Sequence, residues 1–322
     1  MQYRTLGRTG LRVSEIGFGA WGIGGGMWQG EVDAESMKAL HEAADLGVNF
    51  FDTALVYGEG RSESLVGRFL KERKGNLIVA TKVPPINRIW PARAGMPISE
   101  AFTYEHIVAS TETSLRNLGV ETIDIMQLHV WDDRWTERDE WKRAFAKLKE
   151  QGKVCFAGIS INDHQPSNAL LAAATGLIDT FQVIYNIFDQ TPEDALFPLC
   201  LEKNIGIIAR VPFDEGALTG AITPDTVFPP RDFRNDYFKG ERKAEVFRRT
   251  NDLRALLGRE AATLPELSLR FCLHTPAVST VIPGMRSAKN VRANCGISDG
   301  KPLSDALVAR LRQHAWTKNY YD

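Results

Sequence analysis

The chain has 322 residues, of which 43% are hydrophobic and 25% charged, and its formal net charge is −1. This balance, without a basic excess, argues against a nucleic-acid partner, and the lack of an apolar run of about 18 residues argues against a membrane-spanning segment. The N-terminal MQYRTLGRTG has no apolar centre of the kind a signal peptide needs, and the four cysteines form no C-x-x-C pair, so we expect a cytoplasmic protein.

The first predicted element is a β-hairpin over residues 3–17, with its turn at residues 8–10. It leads into GFGAWGIGGG (17–26), whose first six residues match the G-x-G-x-x-G fingerprint of a dinucleotide site. In a Rossmann fold a helix begins at the last glycine of this motif. Here more glycines follow, and a helical pattern begins only near Asp33. We therefore predict a strand with a glycine-rich end, followed by a flexible connector at Gly24–Gly26, and no Rossmann site.

Short apolar runs alternate with amphipathic stretches along the rest of the chain. Near-continuous apolar strands separated by helices are typical of a parallel sheet with helices on its outer face. The predicted strands are residues 14–21, 48–54, 76–83, 124–130, 154–160, 180–186, 205–211 and 277–283. Eight such units predict an α/β fold, a (β/α)8 TIM barrel forming one domain over residues 1–322. Two connections are unusually long, residues 84–103 after the third strand and 212–238 after the seventh, and such loops are often functional.

Four chemically versatile side chains fall at the carboxyl ends of three consecutive strands, where a barrel carries its active site. They are Asp52, Tyr57, Lys82 and His129. A buried ammonium such as Lys82 favours the phenolate form of a neighbouring tyrosine and lowers its pKa, and Asp52 could keep that ammonium charged. A tyrosine placed in this way suits protonation of a carbonyl oxygen while hydride reaches the carbon, and His129 could hydrogen-bond that oxygen or the tyrosine hydroxyl. The histidines lack metal-ligand spacing, so we predict no metal site.

The motifs around these residues resemble those of the aldo-keto reductases. The segments FDTALVYGEGRSE, VATKV, DIMQLH, GKVCFAGIS, FQVIYN and VIPGMRSAKNV occur in the order and spacing of that family, and the resemblance covers nearly the whole chain. It implies a catalytic tetrad of Asp52, Tyr57, Lys82 and His129, in which Tyr57 is the general acid for reduction of an aldehyde or ketone. It also implies an NADPH/NADP⁺ cofactor that lies extended across the barrel mouth, with NADH as the less favoured alternative.

The resemblance further implies cofactor contacts at several strand ends. The positions carried over are Ala20, Trp21, Asp52, Ser160, Asn162, Gln182, Arg210, Gly284, Arg286, Asn290 and Asn294. Ser160, Asn162 and Gln182 correspond to the groups that bind the carboxamide. An intervening Ile161 separates a serine and an asparagine that are adjacent in most members. The last four positions match a variant of the clamp on the adenosine phosphate, in which Arg286 suits a 2′-phosphate, and Arg210 stands where an aromatic ring often stacks on the nicotinamide.

A partly aromatic substrate pocket is also expected. Its candidate residues are Trp28, Trp90, Trp131 and Phe233. The expected partner is a small carbonyl compound, and the sequence makes no prediction about its identity, the preferred direction of reaction or the oligomeric state. Two alternatives stay open at this point. One is an NADPH-binding regulatory subunit that resembles channel β-subunits, and the other is an isomerase or aldolase barrel in which Lys82 forms a Schiff base.

Overall fold

The computed structural model describes residues 1–26, 30 and 32–316. An antiparallel hairpin comes first, formed by strands β1 (Tyr3–Thr5) and β2 (Arg12–Ser14) with a 3-10 turn between them. Gly10 ends this turn with φ of 68°, a left-handed conformation that glycine adopts readily because it has no Cβ. The predicted hairpin and the position of its turn are confirmed.

Within the described residues, eight parallel strands follow the hairpin, and each pairs with the next in chain order. They are β3 (Phe18–Gly19), β4 (Phe50–Asp52), β5 (Ile78–Val83), β6 (Ile123–Leu128), β7 (Val154–Ser160), β8 (Thr180–Ile184), β9 (Gly206–Arg210) and β10 (Val278–Val281). Parallel bridges from Ile16 to Val281 and from Gly19 to Gly284 bring the last strand beside the first and close the sheet. The architecture is the predicted (β/α)8 barrel, and every strand overlaps its predicted range.

Helices lie outside the sheet or in the loops at the carboxyl ends of its strands. They are α1 (Trp21–Gly24), α2 (Asp33–Asp45), α3 (Arg61–Glu72), α4 (Ile98–Ala101), α5 (Tyr104–Leu118), α6 (Asp139–Glu150), α7 (Leu170–Ala174), α8 (Leu196–Lys203), α9 (Arg234–Tyr237), α10 (Arg242–Arg254), α11 (Leu264–His274), α12 (Ala288–Gly296) and α13 (Asp305–Arg312). Some begin at a side-chain cap, as where Thr103 accepts a hydrogen bond from the backbone N–H of His106 at the start of α5. Among the described residues, no helix has both the length and the apolar character needed to cross a membrane.

The hairpin covers one end of the barrel. Its Leu6 and Val13 pack with apolar residues from the first half of several barrel strands, among them Phe50 and Ile78. All four side chains are buried. Apolar packing therefore closes the amino end of the barrel, and the carboxyl ends of the strands form the end at which polar side chains can meet a ligand.

The glycine-rich segment after the hairpin differs from the prediction in one respect. A one-turn helix, α1, follows β3 directly, whereas the sequence predicted a strand as far as Trp21 and a helical pattern only from near Asp33. Gly24 belongs to this helix and is buried, so it is not part of a flexible connector. Gly19 lies where the barrel closes, and a Cβ at this position would be 2.7 Å from the carbonyl oxygen of Ile282. The glycines thus permit close packing against neighbouring strands and loops, which accounts for the G-x-G-x-x-G pattern without a Rossmann site.

Both predicted long loops are present and lie at the same end of the barrel as the strand termini. The loop after β5 contains α4, and the loop after β9 contains a 3-10 segment at Asp214–Thr219 and then α9. These loops follow the third and seventh strands of the barrel, as the sequence predicted.

Candidate active site

A polar layer follows the apolar layer inside the barrel. Side chains alternate along a strand, so residues two apart point to the same face. On β5, Ala80 of the interior cluster is followed two residues later by Lys82, and on β4, Phe50 is followed in the same way by Asp52. Lys82 is fully buried and Asp52 almost so. The strand pattern therefore carries an ammonium and a carboxylate into the barrel interior near its open end.

Lys82 is the centre of a hydrogen-bonded group at this level. Its Nζ donates to Oδ1 of Asp52 at 2.6 Å, to the carbonyl oxygen of Thr53 at 2.7 Å, and to the hydroxyl oxygen of Tyr57 at 3.3 Å. The ammonium also lies 4.9 Å from the centre of the Tyr57 ring. The structure thus brings together three of the four residues that the sequence singled out.

Burial and the neighbouring charges determine whether Lys82 and Tyr57 are protonated. Burial alone would lower the pKa of Lys82, but the neighbouring Asp52 carboxylate and Tyr57 outweigh burial and raise that pKa above its usual value. Burial raises the pKa of Tyr57, while the Lys82 ammonium acts in the opposite direction. The sequence-based expectation of a lowered tyrosine pKa is therefore wrong, because burial has the larger effect. Tyr57 is a protonated phenol beside a protonated lysine.

His129 completes the group from the end of β6. Its ring meets the Tyr57 ring edge-on, with centres 5.7 Å apart. Burial lowers the pKa of His129 well below its usual value, and the cations of Lys82 and Arg210 act in the same direction. Among the described residues, none forms a hydrogen bond with the buried Nδ1 of this ring. His129 is therefore a neutral imidazole that can hydrogen-bond a ligand without contributing charge.

Two glutamines support Asp52. Nε2 of Gln182 donates to Oδ2 of this carboxylate at 2.7 Å, and Nε2 of Gln127 lies 3.4 Å from the same oxygen. Gln182 is predicted from the sequence as a cofactor ligand, whereas Gln127 is not among the predicted site residues. The signal for Gln127 was present, since it is a polar residue near the carboxyl end of a mostly apolar strand and stands directly across from Lys82 in the β5–β6 register.

Aromatic side chains lie next to Tyr57 and His129. The Trp21 ring, on α1, lies 6.1 Å from the Tyr57 ring and 5.0 Å from that of Phe233, which comes from the loop after β9. Trp90, from the loop after β5, meets His129 edge-on at 5.7 Å. Trp90 therefore lies against His129, and Phe233 lies against Trp21, which in turn lies beside Tyr57. Trp28, a further candidate, falls outside the described residues.

Trp131 does not take part in this pocket. It is fully buried, and its ring packs edge-on against Trp135 and Trp141 at 5.8 and 5.5 Å. Its indole N–H donates to Oδ1 of Asp133. The expectation that Trp131 lines the pocket is therefore corrected: the side chain belongs to the packing between the barrel and its helical layer.

The residues expected to bind the nicotinamide end lie at neighbouring strand ends. Ser160 ends β7 and is paired in register with Gln182 of β8, and both are buried. Ala20 is also buried, and its backbone is engaged, since its N–H donates to the carbonyl of Asp52 and its carbonyl accepts from Oγ of Ser62. Ala20 thus ties the end of β3 to the adjacent strand and to α3.

Asn162 has a different environment from Ser160. Its Oδ1 accepts from the backbone N–H groups of Ala92 and Trp131, each at 3.2 Å. Its Nδ2 donates to the carbonyl of Ala92 at 3.2 Å and to Oε1 of Gln165 at 3.1 Å. Both ends of this buried amide are therefore used within the protein, where they tie the loop after β5 to the segment after β6.

Arg210 ends β9 and is held by the segment after β7. Its Nη2 donates to the carbonyl of Ile161 at 2.9 Å and forms a salt bridge with Asp163. The arginine acts electrostatically on both Tyr57 and His129. A cation is thus placed beside the four central residues, with its charge partly offset by a carboxylate that was not predicted from the sequence.

The remaining predicted cofactor residues follow β10. Gly284 forms the bridge with Gly19, and Arg286 lies before α12, whose first turn is capped by Ser287. The methylene groups of Arg286 lie beside Gly22 of α1, where a Cβ would be only 2.9 Å from Cδ of the arginine. On α12, Asn290 is exposed and Asn294 is buried. An arginine therefore immediately precedes a capped helix N-terminus, and both kinds of group suit an anionic ligand.

The chain is similar to known proteins over almost its whole length. A model of the aldo/keto reductase family matches residues 15–315. A probable voltage-gated potassium channel β-subunit of Arabidopsis thaliana is 28% identical over 326 residues, covering 96% of this chain and 94% of that protein. An NADH-specific methylglyoxal reductase of Escherichia coli is 29% identical over 323 residues, covering 96% and 97%.

A solved structure is also similar to this chain over almost its whole length. The glycerol dehydrogenase AKR11B4 of Gluconobacter oxydans superposes with a TM-score of 0.81 at 28% identity, over 97% of this chain and 94% of that one. Since the family match spans nearly the whole chain and the fold is shared, this chain belongs to the aldo/keto reductase family of carbonyl oxidoreductases.

Proposed function

We propose that this protein is an NADPH-dependent reductase that transfers hydride from the nicotinamide to an aldehyde or ketone, with Tyr57 as the general acid. In reverse, the same site would oxidise an alcohol. The observation that carries the proposal is the fully buried Lys82, which contacts both the Asp52 carboxylate and the Tyr57 hydroxyl. The four residues act within a single domain that spans residues 1–322.

The residues at the open end of the barrel fit a nicotinamide dinucleotide. Ser160 and Gln182 supply a hydroxyl and an amide near the Tyr57 region for the carboxamide. Arg286 supplies a permanent, planar cation that suits a 2′-phosphate, and the lack of a side chain at Gly22 gives it room. We therefore favour NADPH over NADH. The other positions proposed to border the cofactor are Ala20, Trp21, Asp52, Arg210, Gly284, Asn290 and Asn294.

Asn162 is the weakest of the predicted carboxamide ligands. All of its described hydrogen bonds are to protein groups, and they hold the loop that carries Trp90. Releasing the amide for a ligand would break several buried hydrogen bonds, each of which contributes about 1 kcal/mol. Its contacts favour a role in bracing the loop.

The proposed mechanism uses the protonation states described above. When bound, the reduced nicotinamide supplies a hydride to the carbonyl carbon. Tyr57 donates its hydroxyl proton to the carbonyl oxygen, because its raised pKa keeps the phenol protonated in neutral solution. The phenolate that remains is stabilised by the Lys82 ammonium, 3.3 Å from the same oxygen, and Asp52 keeps that ammonium charged. Neutral His129 orients the substrate oxygen by a hydrogen bond.

The aromatic surroundings limit which carbonyl compounds fit. Trp21 and Trp90 present ring surfaces beside Tyr57 and His129, and Phe233 packs against Trp21. Ring surfaces gain free energy by burying apolar groups. We therefore expect aldehydes and ketones with an apolar substituent to have the lower KM.

The two alternatives fare differently. A Schiff-base mechanism needs a neutral lysine, whereas Lys82 is protonated and donates to three acceptors. A regulatory role is favoured by the similarity to a probable potassium channel β-subunit. Both the enzyme and a regulatory subunit could bind NADPH, so turnover separates them.

Steady-state kinetics with purified protein tests the proposal. The consumption of NADPH and of NADH is followed by absorbance with a panel of apolar, polar and anionic aldehydes and ketones. We expect multiple turnovers, with a higher kcat/KM for NADPH. Tight NADPH binding without turnover of any carbonyl would favour the regulatory role. A higher kcat/KM with NADH would contradict the assignment of Arg286 to a 2′-phosphate.

A further inference from the structure

The end of helix α1 lies directly against the backbone of Tyr57. A Cβ on Gly24 would be 2.9 Å from the carbonyl carbon of Tyr57, 3.0 Å from its carbonyl oxygen and 3.1 Å from its Cβ. The contact is closer still from the other side, where a Cβ on Gly58 would be 1.9 Å from the carbonyl oxygen of Gly24. The end of α1 and the Tyr57–Gly58 segment therefore touch through backbone atoms, directly at the residue that carries the Tyr57 hydroxyl.

This contact is braced by α3. Nη1 of Arg61 donates to the carbonyl oxygen of Gly24 at 3.4 Å, and the same guanidinium forms a salt bridge with Asp33 at the start of α2. The backbone N–H of Ser62 donates to the carbonyl oxygen of Tyr57 at 3.2 Å. The first turn of α3 thus holds both the end of α1 and the Tyr57 loop.

We propose that Gly24 is a positioning residue for the proton donor: its lack of a side chain lets α1 support the Tyr57 backbone at the depth where the hydroxyl meets Lys82. The proposal rests on the proposed role of Tyr57 as general acid. It assigns a function to part of the glycine-rich segment that the dinucleotide fingerprint does not explain.

Gly24→Ala tests this proposed role because the substitution adds only a methyl group, whose effect is steric and local. Gly24 has no positive φ, so alanine is compatible with its backbone conformation. The added methyl would meet backbone atoms, and an ordinary contact needs the two segments to separate by about half an ångström. Displacements of about 1 Å near reacting groups can cost about 100-fold in rate, so we expect the rate of hydride transfer to fall by about tenfold.

The matched control is Gly258→Ala. Gly258 lies between α10 and α11 and has no positive φ, and a Cβ added there would have nothing within 4 Å. Single-turnover rates of NADPH oxidation and NADPH dissociation constants, from tryptophan fluorescence, are measured for the wild type and both variants. We expect Gly258→Ala to match the wild type in both. Gly24→Ala should be slower by about tenfold, with an NADPH dissociation constant within about twofold of the wild type.

A double-mutant cycle with Tyr57→Phe separates positioning of the hydroxyl from a general structural effect. If Gly24 acts through the hydroxyl, Gly24→Ala should slow the Tyr57→Phe protein by less than about twofold. A full tenfold loss in that background, or a Gly24→Ala rate equal to the wild type, would overturn the proposal. Tyr57→Phe with a normal rate would instead refute the proposed function, so the two failures are distinguishable.

Arg61→Lys gives a second variant if Gly24→Ala does not fold. It removes the guanidinium brace and adds no atoms to α1. Loosening the contact between Gly24 and Tyr57 should slow the single turnover by about threefold, less than Gly24→Ala, with NADPH binding unchanged. An unchanged rate in this variant would count against the proposal.

Discussion

Replacement of Asp52 by asparagine tests how the buried charge of Lys82 is held. Lys82 is fully buried, and its Nζ lies 2.6 Å from Oδ1 of Asp52. Asparagine has nearly the same shape as aspartate but carries no charge. The ammonium would therefore stay in the barrel interior after its carboxylate partner had been removed.

The expected loss of stability follows from this geometry. Removing one partner of a buried ion pair costs about 3–5 kcal/mol, because the remaining charge lacks compensation in a medium of low dielectric. We expect the free energy of unfolding to fall by about 3 kcal/mol, at the lower end of this range. The reason is that the carbonyl of Thr53 and the hydroxyl of Tyr57 still accept hydrogen bonds from Nζ.

The contribution of Lys82 to the slope of stability against pH should also have opposite signs in the wild type and in Asp52→Asn. In the wild type the pKa of Lys82 is raised, so its stabilising contribution is complete below the unfolded pKa of about 10.4 and is lost only as the pH rises through the folded pKa. In Asp52→Asn, burial acts without the carboxylate and should lower the pKa of Lys82. Between the lowered folded pKa and the unfolded pKa, Lys82 is protonated in the unfolded variant and neutral in the folded one. The variant should therefore become more stable as the pH rises from about 7 towards 10.

Urea denaturation at a series of pH values measures both effects. Asp124→Asn is a matched control, because Asp124 of β6 accepts a hydrogen bond from the backbone of Val79 and forms no salt bridge with any described residue. It should lose about 1 kcal/mol or less and show no rise in stability towards high pH. A loss below about 1 kcal/mol in Asp52→Asn, or stability that falls between neutral and alkaline pH, would refute the reasoning.

Two further variants test the assignments of the cofactor residues. Arg286→Ala should weaken NADPH binding by at least about tenfold, since a charged hydrogen bond contributes about 1.5–3 kcal/mol, and leave NADH binding nearly unchanged. Equal losses for both cofactors, measured by fluorescence titration, would place Arg286 at a phosphate that they share. Asn162→Ala should raise the KM for carbonyl substrates several-fold through the loop that carries Trp90, while the NADPH dissociation constant stays within about twofold. A large increase in that dissociation constant, with an unchanged carbonyl KM, would show that Asn162 binds the cofactor.

The barrel is predictable from the sequence because its strands are buried on both faces. Each strand is a short run of mostly apolar residues, and the polar exceptions near strand ends, such as Asp52 and Lys82, mark the end of the barrel that carries the candidate active site. The predicted strand over residues 14–21 is longer than the observed β3, because α1 begins at its end. A four-residue turn contains too little periodicity to be recognised as a helix.

The environments of several predicted residues depend on tertiary contacts and could not be read from the sequence. Trp131 follows a barrel strand just as a pocket residue would, and only the structure shows that its ring packs against Trp135 and Trp141. The contacts of Asn162 join segments that are 70 and 31 residues away along the chain. The net direction of the Tyr57 pKa depends on how burial compares with the nearby ammonium, and a sequence does not specify burial of a single hydroxyl.

The most direct test of the proposed chemistry is the rate of hydride transfer in Tyr57→Phe, measured in a single turnover with NADPH and an apolar aldehyde. Phenylalanine keeps the ring that contacts Trp21 and His129 and removes the proton that the carbonyl oxygen requires. We predict a rate at least about 100-fold lower, with NADPH affinity close to that of the wild type. A rate near that of the wild type would contradict the role of Tyr57 as general acid.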